Sequence, residues 1–459
     1  MINELGYLGL GTSNKRNETR WDHLQLRKLM NEKWESIREF YKKSPKEIND
    51  FQFKRIKELV KHAYETVDLY KEKYTKEGFE PEDFKTWKDF QKLPILTKEE
   101  LIEGFPEKTI SKDYGTEFTT RSSGSSGKFV TLAVSPKAVY IDTIQGARQF
   151  YFQSGEEYDS TDLALFIYTS PWWVSSIDSE YHSEFLPTTT HVEGAIKTIK
   201  DLRPKVLSTY PTYLKELMSA GADLKGSGVN LVVIHSEQST EKERKELSDF
   251  FKVKVLDEFS SEELTRIALE CPYRKYHIEE DSCYIEVVDP QTKKVLDNNR
   301  RGLIIGTNLL NEATPIIRYS QGDIGTIKQV NNCICGSNFR LIESPQGRYM
   351  DSITVGNKVI PASCFMDLAY NWYLELDVPI HGLKYQIVQN RKGNIDTFLV
   401  QGKFGLSPSQ KRRIQESFYQ LVPKSIQVKV HIVNETPVKT GIKYRPIISL
   451  INKNCESVK

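Results

Sequence analysis

The chain has 459 residues, a length that corresponds to roughly two to four domains and allows at least one large hydrophobic core. Its 64 basic and 62 acidic residues leave a formal net charge of +2, so no overall charge favours nucleic acid or an anionic membrane as a partner. No uninterrupted apolar run of about 18 residues occurs, and the first residues lack the pattern of a secretory leader. We therefore expect a cytoplasmic protein.

The first third of the chain predicts surface helices followed by an unusual loop. Apolar residues recur at helical spacing in the charged segment from about Trp21 to Tyr74. The loop RSSGSSGKFV follows LPILTKEEL. Beyond the loop, apolar segments alternate with amphipathic ones, as in PKVLSTY and PTYLKELMSAG, then NLVVIHSE and EKERKELSDFF. This alternation predicts strand-and-helix units of an α/β core.

The last part of the chain predicts a β-rich region and then a separate small domain. CYIEVVDP, GLIIGTNL and PIIRYSQGDIGTI are rich in β-forming residues and are separated by turn residues. Beyond Gly347, hairpins are predicted around Gly356-Asn357 and RKGN, with a helix from Pro361, a helix in SPSQKRRIQESFYQLV and the strand IQVKVHIV. The predicted fold class is α/β. A large N-terminal domain of mixed sheets and helices spans residues 1–346, with a helical region at about 20–110, an α/β core and a β-rich end. A small α+β domain spans residues 347–459.

The segment Ser122–Lys128 has the composition of a phosphate-binding loop. Glycines let backbone N–H groups turn toward an anion, serines add hydroxyl donors, and the lysine adds a positive charge. The segment is not the usual nucleotide-binding P-loop, because only two residues separate its glycines and Phe129 follows the lysine. A flexible surface linker is the alternative.

Several further motifs follow this loop in a fixed order, and together they carry a family resemblance. The loop is similar to S-G-T-T-G-K, and DEFSSEE, IIRYSQGD, QGRYMDSI and TGIKYRPI are similar to D-x-Y-G-x-S-E, R-Y-x-x-G-D, G-R-x-x-D and G-K-x-R. YPTYLKEL resembles a substrate-side strand and helix, and SEQ at Ser236 resembles an adenine-binding segment. The set, covering most of residues 50 to 450, resembles the adenylate-forming superfamily of acyl-CoA synthetases, and most closely its phenylacetate-CoA ligase-like members.

The resemblance implies a two-step reaction. A carboxylic acid is activated by ATP to an acyl-adenylate with release of pyrophosphate, and the acyl group is then transferred to coenzyme A. Residues 1–346 would form the adenylation domain and residues 347–459 a mobile C-terminal domain. Two other functions stay open: an adenylating ligase that delivers the acyl group to an amine or a carrier-protein thiol, and a nucleotide-binding regulator with little catalysis.

The resemblance also implies roles for residues that contact the phosphates of ATP. Lys128 would hold the β and γ phosphates together with Ser122, Ser123, Gly124, Ser125, Ser126 and Gly127. Glu263 would bind the Mg²⁺ that bridges these phosphates, with Glu262 as the alternative. The competing interpretation is an acidic pair capping a helix that starts near Glu262. Lys443 would reach the α-phosphate and the acyl carboxylate, with Lys439 as the alternative because Ile442 replaces the family's glycine.

Other motif residues would bind the rest of the nucleotide. By resemblance, Ser236 and Glu237 belong to the adenine segment, and Phe259 stacks on adenine without the usual tyrosine hydroxyl. Asp323 would accept both ribose hydroxyls. Arg318 and Arg348 would complete the site, although a strand-end ion pair is the alternative for Arg318. Asp351 is offset by one position from the family's hinge acid, which Met350 replaces.

Two residue clusters complete the prediction. Cys271, His277, Cys333 and Cys335 form C-x5-H and C-x-C patterns that predict a structural zinc site, with Cys283 in reserve and buried free thiols as the alternative. Tyr168, Trp172 and Trp173 follow a predicted strand, and Tyr210 lies in the substrate-side motif. These rings predict a pocket for an aromatic or apolar acyl group, with core packing as the alternative.

Overall fold

The computed structural model describes residues 21–122, 129–156, 158–169, 173–329, 333–343, 351–376, 384–400, 406–438 and 444–451. Within these ranges the α-helices are α1 His23–Arg38, α2 Pro45–Thr66, α3 Asp68–Lys76, α4 Trp87–Phe90, α5 Lys98–Gly104, α6 Pro136–Ser154, α7 Val192–Leu202, α8 Pro211–Ser219, α9 Glu241–Phe251, α10 Ala362–Leu376 and α11 Pro408–Ser417. Short 3-10 helices span Phe40–Lys42, Pro81–Asp83 and Phe418–Gln420.

The strands lie between and beyond these helices. They are β1 Thr119–Arg121, β2 Thr131–Ala133, β3 Ala164–Tyr168, β4 Ser183–Pro187, β5 Val206–Thr209, β6 Leu231–His235, β7 Lys254–Ser261, β8 Thr265–Glu270, β9 Tyr276–Ile278, β10 Cys283–Val288, β11 Arg301–Asn308, β12 Tyr319–Lys328, β13 Leu341–Ile342, β14 Ile353–Val355, β15 Lys358–Ile360, β16 Lys384–Gln389, β17 Ile395–Val400, β18 Val428–Val433 and β19 Ile447–Ser449.

The N-terminal helices form where the amphipathic pattern predicts them. Helix α2 begins with a capping box, in which the Ser44 side chain accepts from the Glu47 backbone and the Glu47 carboxylate accepts from the Ser44 backbone. Its apolar face, including Ile56, Leu59 and Val60, is fully buried in the main core. Burial of this stripe fixes the helix on the sheet, since helix propensity by itself stabilises it little.

An eleven-stranded mixed sheet organises the larger part of the chain. Its order is β10-β11-β12-β13-β9-β8-β7-β6-β5-β3-β4, and β4, β3, β5, β6 and β7 are parallel neighbours. Helices cover both faces of the parallel part: Phe150 of α6 packs on one face, and Leu214 of α8 and Leu247 of α9 on the other. The carboxyl ends of β3, β5, β6 and β7 therefore meet at one edge, where α/β folds place their ligands.

The C-terminal part has its own sheet and core. Strands β18-β17-β16-β19 form a four-stranded sheet, and β14 and β15 form a hairpin whose turn holds Gly356 at φ 57°. Phe365, Trp372 and Phe418 are buried in a cluster that contains only residues of this region. The predicted α/β class with a smaller α+β part is confirmed. The predicted boundary at Gly347 lies outside the described residues.

Candidate active site

The base of the predicted phosphate loop is a short antiparallel hairpin. Strands β1 and β2 pair, and the Ser122 backbone donates to the Val130 carbonyl at 2.9 Å while the Val130 backbone donates to the Ser122 hydroxyl at 3.0 Å. These bonds close the ends of the segment that carries the loop. Six residues predicted to bind phosphate lie outside the described residues: Ser123, Gly124, Ser125, Ser126, Gly127 and Lys128.

Two adjacent acids lie in the turn between β7 and β8. No helix starts near Glu262, so the helix-cap interpretation is wrong. Glu262 is exposed, and its Oε2 accepts from the Thr120 hydroxyl at 2.7 Å. Glu263 is only 6% exposed, and its Oε1 accepts from the Tyr319 hydroxyl at 3.3 Å. Because Thr120 belongs to β1 and Tyr319 to β12, the neighbouring carboxylates contact different elements.

The end of β6 brings the C-terminal segment to this edge of the sheet. Ser236 has a left-handed backbone at φ 69°, which ends the strand and turns the chain sharply. Glu237 follows and accepts from the Thr212 backbone at 3.1 Å. Burial raises the pKa of Glu237, although the Thr212 and Tyr444 backbone N–H groups donate to the carboxylate and oppose that rise. Tyr444 belongs to the terminal motif TGIKYRPI, so this contact brings the described part of that motif to Glu237.

Further contacts join the C-terminal part to the larger one. The Lys242 ammonium of α9 lies 3.1 Å from the Asn371 Oδ1 of α10, and the Tyr370 hydroxyl donates to Glu246 at 3.1 Å. Within the C-terminal part, Asp351 at the predicted hinge pairs with the Arg445 guanidinium. The other hinge residues, Arg348 and Met350, lie outside the described residues, as do Lys439 and Lys443.

Aromatic rings line the carboxyl ends of β3, β5 and β6. Tyr168 and Tyr210 stack with centroids 5.2 Å apart, and the His235 ring meets Tyr168 edge-on at 4.9 Å. Two of the predicted pocket residues are thus together. No role was predicted for His235, although it stands at the end of an apolar strand, directly before Ser236, where ligand-side residues are expected.

The two tryptophans predicted for the same pocket do not join this group. Trp173 meets Trp21 edge-on at 5.8 Å and packs, partly buried, against a core cluster that contains Val139 and Val174. These contacts are those of core packing, which was the alternative for Trp173. Trp172 lies outside the described residues.

The nucleotide-side motifs fall on β7 and β12. Phe259 of β7 is half-buried against the main core, and Asp323 lies on β12, the strand that also carries Tyr319. Gly322 before Asp323 has φ 91°, a conformation that other residues rarely adopt. Strand β12 therefore carries both Asp323 and a hydroxyl that contacts Glu263.

The Arg318 guanidinium is held by a buried carboxylate and two backbone carbonyls. Its Nε and Nη2 donate to Glu286 at 3.2 and 2.8 Å, and its Nη1 donates to the Gln91 carbonyl at 2.6 Å and to the Leu93 carbonyl. The residue is 2% exposed. The predicted nucleotide role of Arg318 is therefore corrected: the guanidinium forms a buried ion pair, which was the alternative.

The four predicted zinc ligands converge. The ligand atoms of Cys271, His277, Cys333 and Cys335 all lie within 4.8 Å of one another, and His277 Nε2 is 3.3 Å from Cys335 Sγ. A tetrahedral site with Zn–S bonds of about 2.3 Å has ligand–ligand edges of roughly 3.8 Å, so the spacing fits zinc. His277 Nδ1 lies 3.0 Å from the Phe339 carbonyl, which directs Nε2 toward the thiols.

The electrostatics of this cluster suit a metal ligand set. A hydrogen bond from Cys335 is the main cause that lowers the pKa of Cys271, which favours the thiolate, the form that binds zinc. Cys283, the reserve ligand, lies elsewhere: its Sγ is 3.6 Å from the Arg266 carbonyl, and burial raises its pKa.

Comparisons with known proteins agree with the motifs. No protein-family model matches the sequence. The chain is 26% identical to a phenylacetate-coenzyme A ligase of Escherichia coli (strain K12) over 373 residues, 77% of this chain and 82% of that protein. It is 25% identical to a phenylacetate-coenzyme A ligase of Aromatoleum evansii over 421 residues, 85% of this chain and 91% of that protein.

A solved structure with a similar fold is a 2-hydroxyisobutyryl-CoA ligase. In its postadenylation state with R3-HIB-AMP bound, the TM-score is 0.71 at 16% identity, covering 90% of this chain and 93% of that one. In its thioesterification state with 2-HIB-AMP and CoA, the TM-score is 0.58 at 17% identity, covering 88% and 90%. The resemblance drawn from the motifs is confirmed: this chain is a homologue of phenylacetate-CoA ligases and has the fold of adenylate-forming CoA ligases.

Proposed function

We propose that this chain is an AMP-forming acid–thiol ligase that activates a carboxylic acid with ATP and transfers the acyl group to coenzyme A. The observation that carries the proposal is the meeting of three elements at one edge of the sheet. Glu262 contacts the strand that leads into the phosphate loop, Glu237 accepts from the backbone of Tyr444, and Tyr168 stacks on Tyr210 at the carboxyl ends of β3 and β5.

In the first half-reaction, a carboxylate oxygen of the acid attacks the α-phosphorus of ATP and pyrophosphate leaves. Lys128 and the loop hydroxyls would hold the β and γ phosphates, and Lys443 would stabilise the charge that develops at the α-phosphate. Magnesium bound by Glu263 would neutralise the departing pyrophosphate. Asp323 would accept the ribose hydroxyls, and Phe259 would offer its face to adenine.

In the second half-reaction, the coenzyme A thiol takes the position of the lysine and attacks the acyl carbon of the acyl-adenylate, and AMP leaves as the thioester forms. We infer that residues 347–459 form a mobile C-terminal domain and residues 1–346 the adenylation domain. Support comes from the separate core of the C-terminal part and from the few polar contacts that join α9 to α10. Exposed pairs of this kind contribute about 1 kcal/mol or less each, so they can break and re-form during a catalytic cycle.

We also propose that Cys271, His277, Cys333 and Cys335 bind one structural zinc ion. Four protein ligands complete a tetrahedral site and leave no position for a reacting group. The cluster joins the β8–β9 region to the segment at 333–335, which follows it much later in the sequence. The role is therefore to stabilise the β-rich region.

ATP–pyrophosphate exchange across aromatic and aliphatic acids tests the ligase proposal. We expect acid-dependent exchange, and AMP release that requires coenzyme A in the full reaction. If the acyl group is transferred to an amine or a carrier thiol but not to coenzyme A, that nucleophile replaces coenzyme A as the proposed acceptor. Nucleotide binding without exchange for any acid would favour a regulator.

The lysine variants give a matched pair for the catalytic role. Lys443→Ala is expected to suppress exchange far more than thioester formation from supplied acyl-adenylate, while Lys439→Ala should leave exchange within about threefold of wild type. Equal losses in both half-reactions would contradict the role of Lys443.

Fractionation of cells that make the protein would test the predicted cytoplasmic location. The described helices include none long and apolar enough to span a membrane.

A further inference from the structure

We propose that Arg244 is a positioning residue for the ligase reaction, because it holds the loop 236–240 in place at the ligand edge of the large sheet. The proposal rests on the ligase function above, in which Ser236 and Glu237 of this loop lie on the nucleotide side. Arg244 itself lies in helix α9, outside the motifs that carry the family resemblance.

The loop begins at the carboxyl end of β6 with two hydrogen-bonded residues. The Ser236 hydroxyl lies 2.9 Å from His235 Nδ1 and 3.4 Å from the Tyr168 hydroxyl. Glu237 accepts from the Thr212 backbone, at the start of α8, at 3.1 Å. Hydrogen bonds weaken steeply when their geometry is distorted, so these contacts depend on an exact course of the loop.

Arg244 reaches back from the start of α9 to the middle of the loop. Its Nη1 donates to the Ser239 carbonyl at 2.8 Å and to the Ser239 hydroxyl at 2.9 Å. Thr240 then ends the loop as the N-cap of α9, in a capping box with Glu243. Lys215 of α8 pairs with Glu243 at 2.7 Å, so the start of the helix is fixed as well. The guanidinium therefore secures the part of the loop that lies between Glu237 and the helix.

The guanidinium is itself anchored to the sheet. Its Nη2 donates to Glu270 Oε1 of β8 at 3.0 Å, and Glu270 Oε2 accepts from the Asp257 backbone of β7 at 2.9 Å. Arg244 is 1% exposed and Glu270 is fully buried. Two nitrogens of one planar group thus join the loop to β8, a geometry that the single ammonium group of a lysine does not reproduce.

Arg274 provides a matched control, because it also pairs with Glu270. Its Nη1 lies 3.5 Å from Glu270 Oε1. Its hydrogen bonds go to the Val255 carbonyl at 2.6 Å and to the Ser248 hydroxyl, near the other end of α9, at 3.1 Å. Loss of either arginine weakens the surroundings of Glu270, and loss of Arg244 also releases Ser239.

ATP binding and ATP–pyrophosphate exchange by the full chain test the proposal. Arg244→Lys should raise both the Kd and the KM for ATP about 10- to 100-fold, the range for lost hydrogen bonds to a charged group. Ser239→Ala keeps the carbonyl contact and should raise them about threefold to tenfold. In both variants kcat at saturating ATP should change less than about threefold, because the cost of ordering the loop falls on ATP binding.

Arg274→Ala should leave the Kd and the KM for ATP within about threefold of wild type, although it lowers the melting temperature. This comparison separates a loss of loop position from a loss of stability. Ser239→Ala removes a single hydroxyl and carries the test if Arg244→Lys does not fold.

Hydrogen exchange of the nucleotide-free protein tests the loop directly. Mass spectrometry of the peptide that covers residues 236–240 should show amide exchange about tenfold or more faster in Arg244→Lys and Ser239→Ala, and at the wild-type rate in Arg274→Ala.

Three results would overturn the proposal: an ATP affinity of folded Arg244→Lys within about threefold of wild type, equal losses of affinity in Arg244→Lys and Arg274→Ala, or unchanged hydrogen exchange of the loop in both loop variants. Each of them can occur in a protein that activates an acid. A wild-type protein that supports pyrophosphate exchange with no acid would instead remove the ligase function, and the hydrogen-exchange comparison would still decide whether Arg244 positions the loop.

Discussion

Replacing Arg318 by alanine tests whether this residue serves the fold or the nucleotide. The change removes both hydrogen bonds to Glu286 and leaves that carboxylate, 4% exposed, without its guanidinium partner. It also removes the donor to the Gln91 and Leu93 carbonyls. Breaking one side of a buried ion pair costs about 3 to 5 kcal/mol, so we expect the free energy of unfolding to fall by that amount.

Urea unfolding followed by circular dichroism measures this loss, with Arg300→Ala, at an exposed position, as the control expected within about 0.5 kcal/mol of wild type. The charge-free pair Arg318→Met with Glu286→Leu should recover about 2 kcal/mol, because no unpaired carboxylate remains. ATP affinity of the folded single variant should stay within about threefold of wild type. A tenfold loss of ATP affinity with unchanged unfolding would refute the structural role.

The pH dependence of this variant has a definite sign. Burial raises the pKa of Glu286 in the native protein, and Arg318 opposes that rise. Without Arg318 the pKa of Glu286 rises further. A buried acid with a raised pKa in the folded protein stabilises the fold at low pH, and this contribution is lost as the pH increases through that pKa. The loss in the free energy of unfolding caused by Arg318→Ala should therefore be larger at pH 8 than at pH 5.

Three further predictions concern other sites. Cys335→Ala should reduce bound zinc, measured by metal analysis of the purified protein, from about one ion per chain to a small fraction, while Cys283→Ala keeps it; a metal-free wild type would disprove the site. Glu237→Gln should weaken the contacts to the Thr212 and Tyr444 backbones by about 1.5 to 3 kcal/mol, slowing exchange about 10- to 100-fold and thioester formation much less. Burial raises the pKa of Asp257 to about 6, so stability present at low pH is lost as the pH rises through 6. Asp257→Asn retains an acceptor for the Tyr276 hydroxyl at 2.6 Å. Its stability relative to wild type should rise by about 1 to 2 kcal/mol between pH 5 and pH 8, and a flat difference in urea unfolding would contradict this.

Local patterns in the sequence predicted most of the elements. Strands β5 and β6 and helices α8 and α9 form where apolar runs alternate with amphipathic segments, because a buried parallel strand needs continuous apolar residues. Hairpins at Gly356 and Gly393 form because glycine readily adopts the left-handed backbone that those turns use. Short strands such as β9 and β13 were missed, since they form through pairing with each other and with β8 and β12, which are distant in sequence from one another.

By itself, the sequence determined the α/β class and the family resemblance, and it predicted the cluster of cysteines and histidine proposed to bind zinc, because these depend on residue type and order. Tertiary structure decided where side chains point: Arg318 toward Glu286, Trp173 toward Trp21, and the adjacent acids Glu262 and Glu263 toward different strands. A motif fixes which residue is present, but neighbours distant in sequence provide the partners of a buried charge or ring. Those partners meet only when the sheet closes, so their contacts follow from packing and not from the pattern of any one segment.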